Sequence, residues 1–253
     1  MNGPEQLGVS AGRRGPAGRL AAVGLALGLT LAVQLAASVW VVSAGGPVAL
    51  ALLLVATWAV LAAPVFAASG SGTSGALVRG AAVAMAGAGP LALLAGRSPA
   101  LSWVGAAKAF VLLGAVVMAE CALVGLSRRP GRRYLLAAAV ALAVVVVSAG
   151  PFWANGAIRF ARGAWKPRIA AAMVAVNPVF ALAGCLARGA FLWHECPILY
   201  GFTVLGRDEV QMPVLPWFLT AGIYGLAAVA GASLGLAGRG KGGPWKATSP
   251  ESP

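Results

Sequence analysis

The sequence predicts an all-α, polytopic integral membrane helical bundle of six transmembrane helices, with an extracytoplasmic re-entrant helical hairpin between spans five and six. Three observations carry this. Of the 253 residues, 60% are hydrophobic and only 10% charged, against about 25% charged in an average soluble domain. From Arg19 to Arg79 there are 59 intervening residues without one Asp, Glu, Lys or Arg, and a soluble fold cannot bury so long a stretch. Finally, Asn177-Pro178 falls in the middle of an apolar segment that would otherwise be long enough to cross a bilayer, and that dipeptide breaks a helix.

A bilayer core of about 30 Å requires about 20 apolar residues of helix. Runs of that kind, bounded by charge or turn residues, are expected over residues 20–43, 47–68, 80–96, 101–127, 134–153 and 213–238. The first two are separated by Ala44-Gly45-Gly46; the third is interrupted by glycines and closed by Arg97-Ser98-Pro99. The fourth is long enough to tilt. Residues 1–18 are rich in Gly and Pro and are expected to be a disordered cytoplasmic N-terminus, and 239–253 a disordered basic cytoplasmic tail. Arg13, Arg14 and Arg19 precede an apolar run of about 24 residues, too long for the h-region of a cleaved signal peptide, so that run reads as a retained anchor.

The outer segment 154–212 contains IAAAMVAVNPVFALAGCLA at Ile169 to Ala187. Asn followed by Pro makes an N-cap and first-turn pair, so a helix is expected to start at Pro178. Each half would then hold only 8 or 9 residues, about 13 Å, which reaches halfway into the membrane. The alternative is a kinked seventh span. Six spans place eleven basic residues on the cytoplasmic side (Arg13, Arg14, Arg19, Arg79, Arg128, Arg129, Arg132, Arg133, Arg239, Lys241, Lys246) against seven outside, whereas seven spans give ten to eight. The positive-inside rule favours six, with both termini cytoplasmic. Trp40, Trp103, Trp153 and Trp217 then form an aromatic belt at the outer ends.

The basic residues, 19 against 6 acidic for a formal charge of +13, read as topology signals and as attraction to anionic lipid headgroups. No nucleic-acid-reading motif accompanies them. Gly235-Leu236-Ala237-Gly238-Arg239-Gly240-Lys241 matches part of a phosphate-binding loop, but Gly242 stands where Ser or Thr should hold magnesium. His194, Glu195 and Cys196 are adjacent and rarely could converge, and no second histidine completes a zinc site. No catalytic constellation, metal site or cofactor is expected. Cys185 and Cys196 share the outer segment, where an oxidising compartment permits a disulfide. Lys108 and Glu120 are the intramembrane charges, twelve residues apart on span four, which sets them about 18 Å apart and excludes a mutual pair. Snorkelling, or pairing of Glu120 with the Arg128 to Arg133 cluster, is the expected resolution. Gly24/Gly28 and Gly231/Gly235 each form GxxxG, a spacing that permits close helix approach.

From Asn155 to Gly238, a span, an outer segment with Asn177-Pro178-Val179-Phe180-Ala181-Leu182 followed by Arg188, and a final span resemble the C-terminal third of type-2 ATP-binding-cassette exporter permeases. The resemblance implies six spans, cytoplasmic termini and short re-entrant helices between spans five and six. It implies a membrane subunit of an ATP-driven exporter, energised by a separate ATP-hydrolysing chain and working as a homodimer or with a related permease. Asn177, Pro178 and Arg188 would belong to an outer-gate hairpin, while Arg79, Arg128, Arg129, Arg132 and Arg133 would face the ATPase. The chain departs from that family in lacking an N-terminal amphipathic helix and in having only Ser69 to Arg79 between spans two and three.

Two other functions fit the composition. One is a non-transporting accessory or assembly subunit of a larger membrane complex, which needs no polar pathway. The other is a membrane-embedded enzyme using His194, Glu195, Asp208 and Glu209 at the outer surface. Richness in Ala, Gly and Arg suggests a high-GC bacterium and its plasma (inner) membrane.

Overall fold

Glycine and proline decide where most of these helices begin and end. The computed structural model describes residues 16–70, 72–150, 160–186 and 215–240, and every regular element among them is α-helical. Helix α1 (Pro16–Ser43) closes on Gly45, whose φ of +69° few other residues tolerate. There Gly46 N–H donates to Val41 O at 2.8 Å and Gly45 N–H to Val42 O at 3.2 Å, a Schellman closure. Pro47, already extended, delivers the chain into α2 (Val48–Ala68).

Helices α3 (Gly72–Ala86) and α4 (Ala88–Arg97) are two parts of one apolar stretch. Pro90 lacks the N–H that would bond Ala86 O, and the division falls at Gly87, whose N–H is shared between Val83 O and Ala84 O at 3.3 and 3.1 Å. This stretch starts at Gly72, eight residues before the expected start of the third span at Gly80, so Arg79 lies inside a helix and not in a loop. No proline lies between Gly72 and Gly80, the single Gly75 falls in the first turn, and the long Arg79 side chain carries its charge back toward the bundle end.

Ser102 Oγ caps α5 (Trp103–Gly125) by accepting Gly105 N–H at 3.0 Å. Pro130 occupies the first turn of α6 (Pro130–Ser148), where its missing N–H costs nothing. This helix begins four residues before the expected Tyr134, which puts Arg132 and Arg133 in its first turn. The helices on either side of Asn177 are unequal, not two halves of 8 or 9 residues: α7 (Trp165–Val176) has 12 and α8 (Pro178–Ala183) has 6. Pro167 falls in the opening turn of α7, where proline is tolerated, so that helix extends back to Trp165. Helix α9 (Trp217–Gly240) continues past the expected end at Gly238.

Five of these stretches are long and apolar enough to cross a bilayer: Val48–Ala68, Gly72–Arg97, Trp103–Gly125, Pro130–Ser148 and Trp217–Gly238. Helix α1 adds the shorter apolar segment Leu27–Ser43. Their outward faces carry Leu25, Leu135, Leu142, Leu226, Val229 and Leu234, all more than 60% exposed, which suits lipid tails as the surrounding medium. The protein is therefore an all-helical chain with the composition and helix lengths of an integral membrane protein.

Helix α5 is central and packs against α2, α3, α4, α6, α8 and α9. Toward its N-terminal end the core holds Leu52, Leu94, Leu101, Leu112 and Leu182. Toward its C-terminal end the core is built from smaller groups, among them Ala63, Ala67, Ala76 and Cys121. Small residues let backbones come together there, since helix association in lipid relies on close van der Waals packing. A Cβ added to Gly80 would fall 2.6 Å from Cys121 Sγ, one on Gly231 3.0 Å from Ala122 Cβ, and one on Gly235 2.3 Å from Thr73 Oγ1. Gly231 and Gly235 are thus a working GxxxG pair, whereas Gly24 and Gly28 have no neighbour within 4 Å.

This difference is testable. Gly235→Ala should lower the apparent stability of the detergent-solubilised protein by about 1–3 kcal/mol through overpacking. Gly28→Ala should leave it unchanged or raise it by up to about 1 kcal/mol, the helix-propensity gain. Thermal unfolding followed by tryptophan fluorescence compares the two.

Candidate functional site

The chain breaks at Asn177, and the Ala175 and Val176 carbonyls and the Val179 and Phe180 amides that the break releases are taken up within the protein. Asn177 is completely buried. Its Oδ1 accepts Val179 N–H at 2.9 Å and Phe180 N–H at 3.3 Å, capping α8. Its Nδ2 donates to Val147 O at 3.1 Å and Ser148 O at 3.0 Å, the terminal carbonyls of α6. Both halves of the side-chain amide are saturated, which fixes its orientation. The terminal carbonyls of α7 are met from α9: Thr220 Oγ1 donates to Ala175 O at 2.8 Å and Tyr224 O–H to Val176 O at 2.9 Å. Three helix ends and one helix side are joined by three side chains.

These bonds also define the two ends of the bundle. Asn177 sits where α6 finishes, at the level of Thr220 and Tyr224. Those residues lie three and seven positions into α9, so the break is about 5–10 Å below the start of that helix. From there α8 leads to Cys185, whose carbonyl meets Gly105 in the first turn of α5 so closely that no Cβ would fit. Trp40, Trp103 and Trp217 all stand at this end; on α7 the Arg168 guanidinium lies 5.5 Å from the centre of the Trp165 ring.

The opposite end is held by arginines on helix C-terminal carbonyls. Arg79 donates to Ser69 Oγ and, at 3.4 Å, to Phe66 O. Arg128 donates to Gly238 O, and Arg133 to Gly70 O and, at 2.8 Å, to Ser127 O. A cation at a helix C-terminus is favoured by the helix dipole. Arg129 and Arg132 are exposed. Of the five arginines expected to face an ATPase, three are therefore engaged in holding α2, α5 and α9 together.

Glu120 does not pair with this cluster, contrary to the expectation from sequence. It is 1% exposed, and neither carboxylate oxygen has a hydrogen-bond partner. It faces inward because α9 covers that side of α5, closing the route by which the side chain could snorkel. Lys108, half-buried, lies toward the other end of α5. Cys185 is a buried free thiol whose Sγ is 3.7 Å from Ala181 O; Cys196, its expected disulfide partner, lies outside the described residues. So do Arg188, His194, Glu195, Arg207, Asp208, Glu209 and Trp153. The phosphate-loop-like stretch continues as α9 through Gly240, so its first residues form helix and no cradle.

Two features were not foreseen from sequence. The i, i+4 pair Thr220/Tyr224 was a polar signal on an otherwise apolar span. Thr30, Gln34 and Ser38 recur every four residues on α1 and are all buried, with Gln34 and Ser38 lacking hydrogen-bond partners. Compared with protein-family models, with curated proteins and with solved structures, the chain finds no match.

Asn177→Ala should cost about 3 kcal/mol of apparent stability, because it strands two buried amides and two carbonyls. Tyr224→Phe, which removes one donor, should cost about 1 kcal/mol. Thermal unfolding in detergent gives the ranking, and equal losses for the two would contradict the division of roles between these side chains.

Proposed function

We propose that this chain is the membrane-spanning permease subunit of an ATP-driven exporter, energised by a separate ATP-hydrolysing chain. In this reading the six spans are α1, α2, α3 with α4, α5, α6 and α9. Helices α7 and α8 form a re-entrant hairpin entering from the outer face of a bacterial inner membrane, and both termini are cytoplasmic. The observation that carries it is the saturated break at Asn177. An interrupted helix is tolerable at membrane depth only where neighbouring protein takes up its freed polar groups, and here Asn177, Thr220 and Tyr224 do so. The placement of this break, between α6 and α9 and opposite the arginine-rich end, agrees with the resemblance carried by Asn177-Pro178.

The positive-inside rule places the Arg79 and Arg128 to Arg133 end in the cytoplasm. Arg129, which precedes α6, and Arg132 in its first turn are both exposed and are the two guanidiniums offered to an ATPase surface. The interior around α5 is filled mainly by Leu, Val and Ala, with Glu120 enclosed among them, so a transport pathway would run between this chain and a second copy or a related permease.

That filled interior also supports the second reading, an accessory or assembly subunit of a larger membrane complex, which needs no pathway at all. Purification of the tagged chain from its native membrane in gentle detergent separates the two. A permease should retain a nucleotide-hydrolysing chain, and Arg129→Glu with Arg132→Glu should reduce that retention at least about tenfold, as expected for charge reversal at a contact. Retention of other membrane proteins with no ATPase would favour the accessory reading.

A further inference from the structure

Among the described residues, the arginine-rich end contains a cleft of about 110 Å³ that the permease reading does not use. Thr73 of α3, Ser127 and Arg128 of the α5–α6 connection and Arg133 of α6 supply its polar wall, while Leu126 and Leu234 supply the rest. It has room for more than one water-sized group.

Three properties of this cleft point to one class of ligand. First, both guanidiniums are fixed: Arg128 is anchored on Gly238 O, and Arg133 on Ser127 O and Gly70 O. An arginine carries five N–H donors, so each keeps donors for a ligand while its position is held. Second, among the described residues no acid neutralises them. Glu120 is the only acidic residue among those described, and it is sealed inside the bundle. Third, the wall changes character outward. Leu126 is 37% exposed and Leu234 67% exposed, so a group held by the arginines would have an apolar continuation along the lipid-facing side of α9. The opening turn of α3 adds backbone amides that have no intrahelical acceptor.

We propose that this cleft binds a phosphate group, either the phosphodiester of an anionic phospholipid or free inorganic phosphate. Fork-shaped guanidinium donors match phosphate oxygens, and the leucine rim accommodates acyl chains when the phosphate belongs to a lipid. The site depends on this end lying at a membrane surface, but not on the exporter reading; a chain that recruits no ATPase would still have it.

Native mass spectrometry of the full chain in detergent, with phosphatidylglycerol and phosphatidylcholine at equal concentration, tests this directly. Phosphatidylglycerol should be retained preferentially. Arg128→Gln with Arg133→Gln should weaken its binding about thirtyfold, from the loss of two charges near a membrane surface, whereas Arg97→Gln with Lys108→Gln at the opposite end should not. A second arm adds inorganic phosphate alone: a rise in Tm that the Arg128/Arg133 variant loses, without lipid preference, assigns the site to the free anion. Because these arginines also hold helix ends, a photoreactive phosphatidylglycerol on the wild-type protein provides an independent readout. It should crosslink to peptides containing residues 126–133 or 234–238. Equal retention of the two lipids with no phosphate-induced shift overturns the proposal. So does crosslinking confined to other regions, or a folded double variant that keeps its preference.

Discussion

A backbone carbonyl or amide freed inside a membrane has no water to bond with, and that constraint governs the architecture of this chain. Proline at position 178 makes a break unavoidable. Asn177, Thr220 and Tyr224 make it tolerable by supplying partners to α6, α7 and α8 together. Because α9 provides two of these donors, the final helix is locked to the broken segment as well as to α5. The position of the break and the packing of the last helix are one structural decision.

The two ends of the bundle solve the same problem with different chemistry. At the Asn177 end, neutral side chains bond helix termini in a setting rimmed by tryptophan. At the other end, guanidiniums bond the terminal carbonyls of α2, α5 and α9, where a charge can remain close to water and lipid headgroups. Between them, close contacts at Gly80, Gly231 and Gly235 replace the hydrophobic driving force that lipid cannot supply. The result is a two-faced molecule, with carbonyl-bound arginines at one end and a short buried helical turn at the other.

Local chemistry was legible in the sequence, and long-range chemistry was not. The cap at Asn177, the turn at Gly45 and Gly46 and the apolar runs each depend on neighbouring residues, so composition and spacing reveal them. The helix over Gly72 to Arg79 was missed because the charge on Arg79 argues for a loop unless the side chain can reach the end of α2. The burial of Glu120 depends on how α9 lies against α5, which no pattern within α5 records. Thr220 and Tyr224 could have been noticed as polar residues one turn apart, but their acceptors are more than forty positions away. The phosphate-sized cleft is assembled from α3, α5, α6 and α9 and has no signature in any one of them.

The central claim is that the chain turns back at Asn177 without crossing the bilayer, and labelling of single cysteines in intact cells tests it most directly. In a background with the native cysteines replaced, Arg132→Cys provides a cytoplasmic reference, Arg162→Cys an outer one, and Lys246→Cys decides. A membrane-impermeant maleimide should label position 162 in intact cells, and positions 132 and 246 only after permeabilisation. Labelling of position 246 from outside, with 132 still protected, would mean that the segment crosses at Asn177 and would contradict the re-entrant topology.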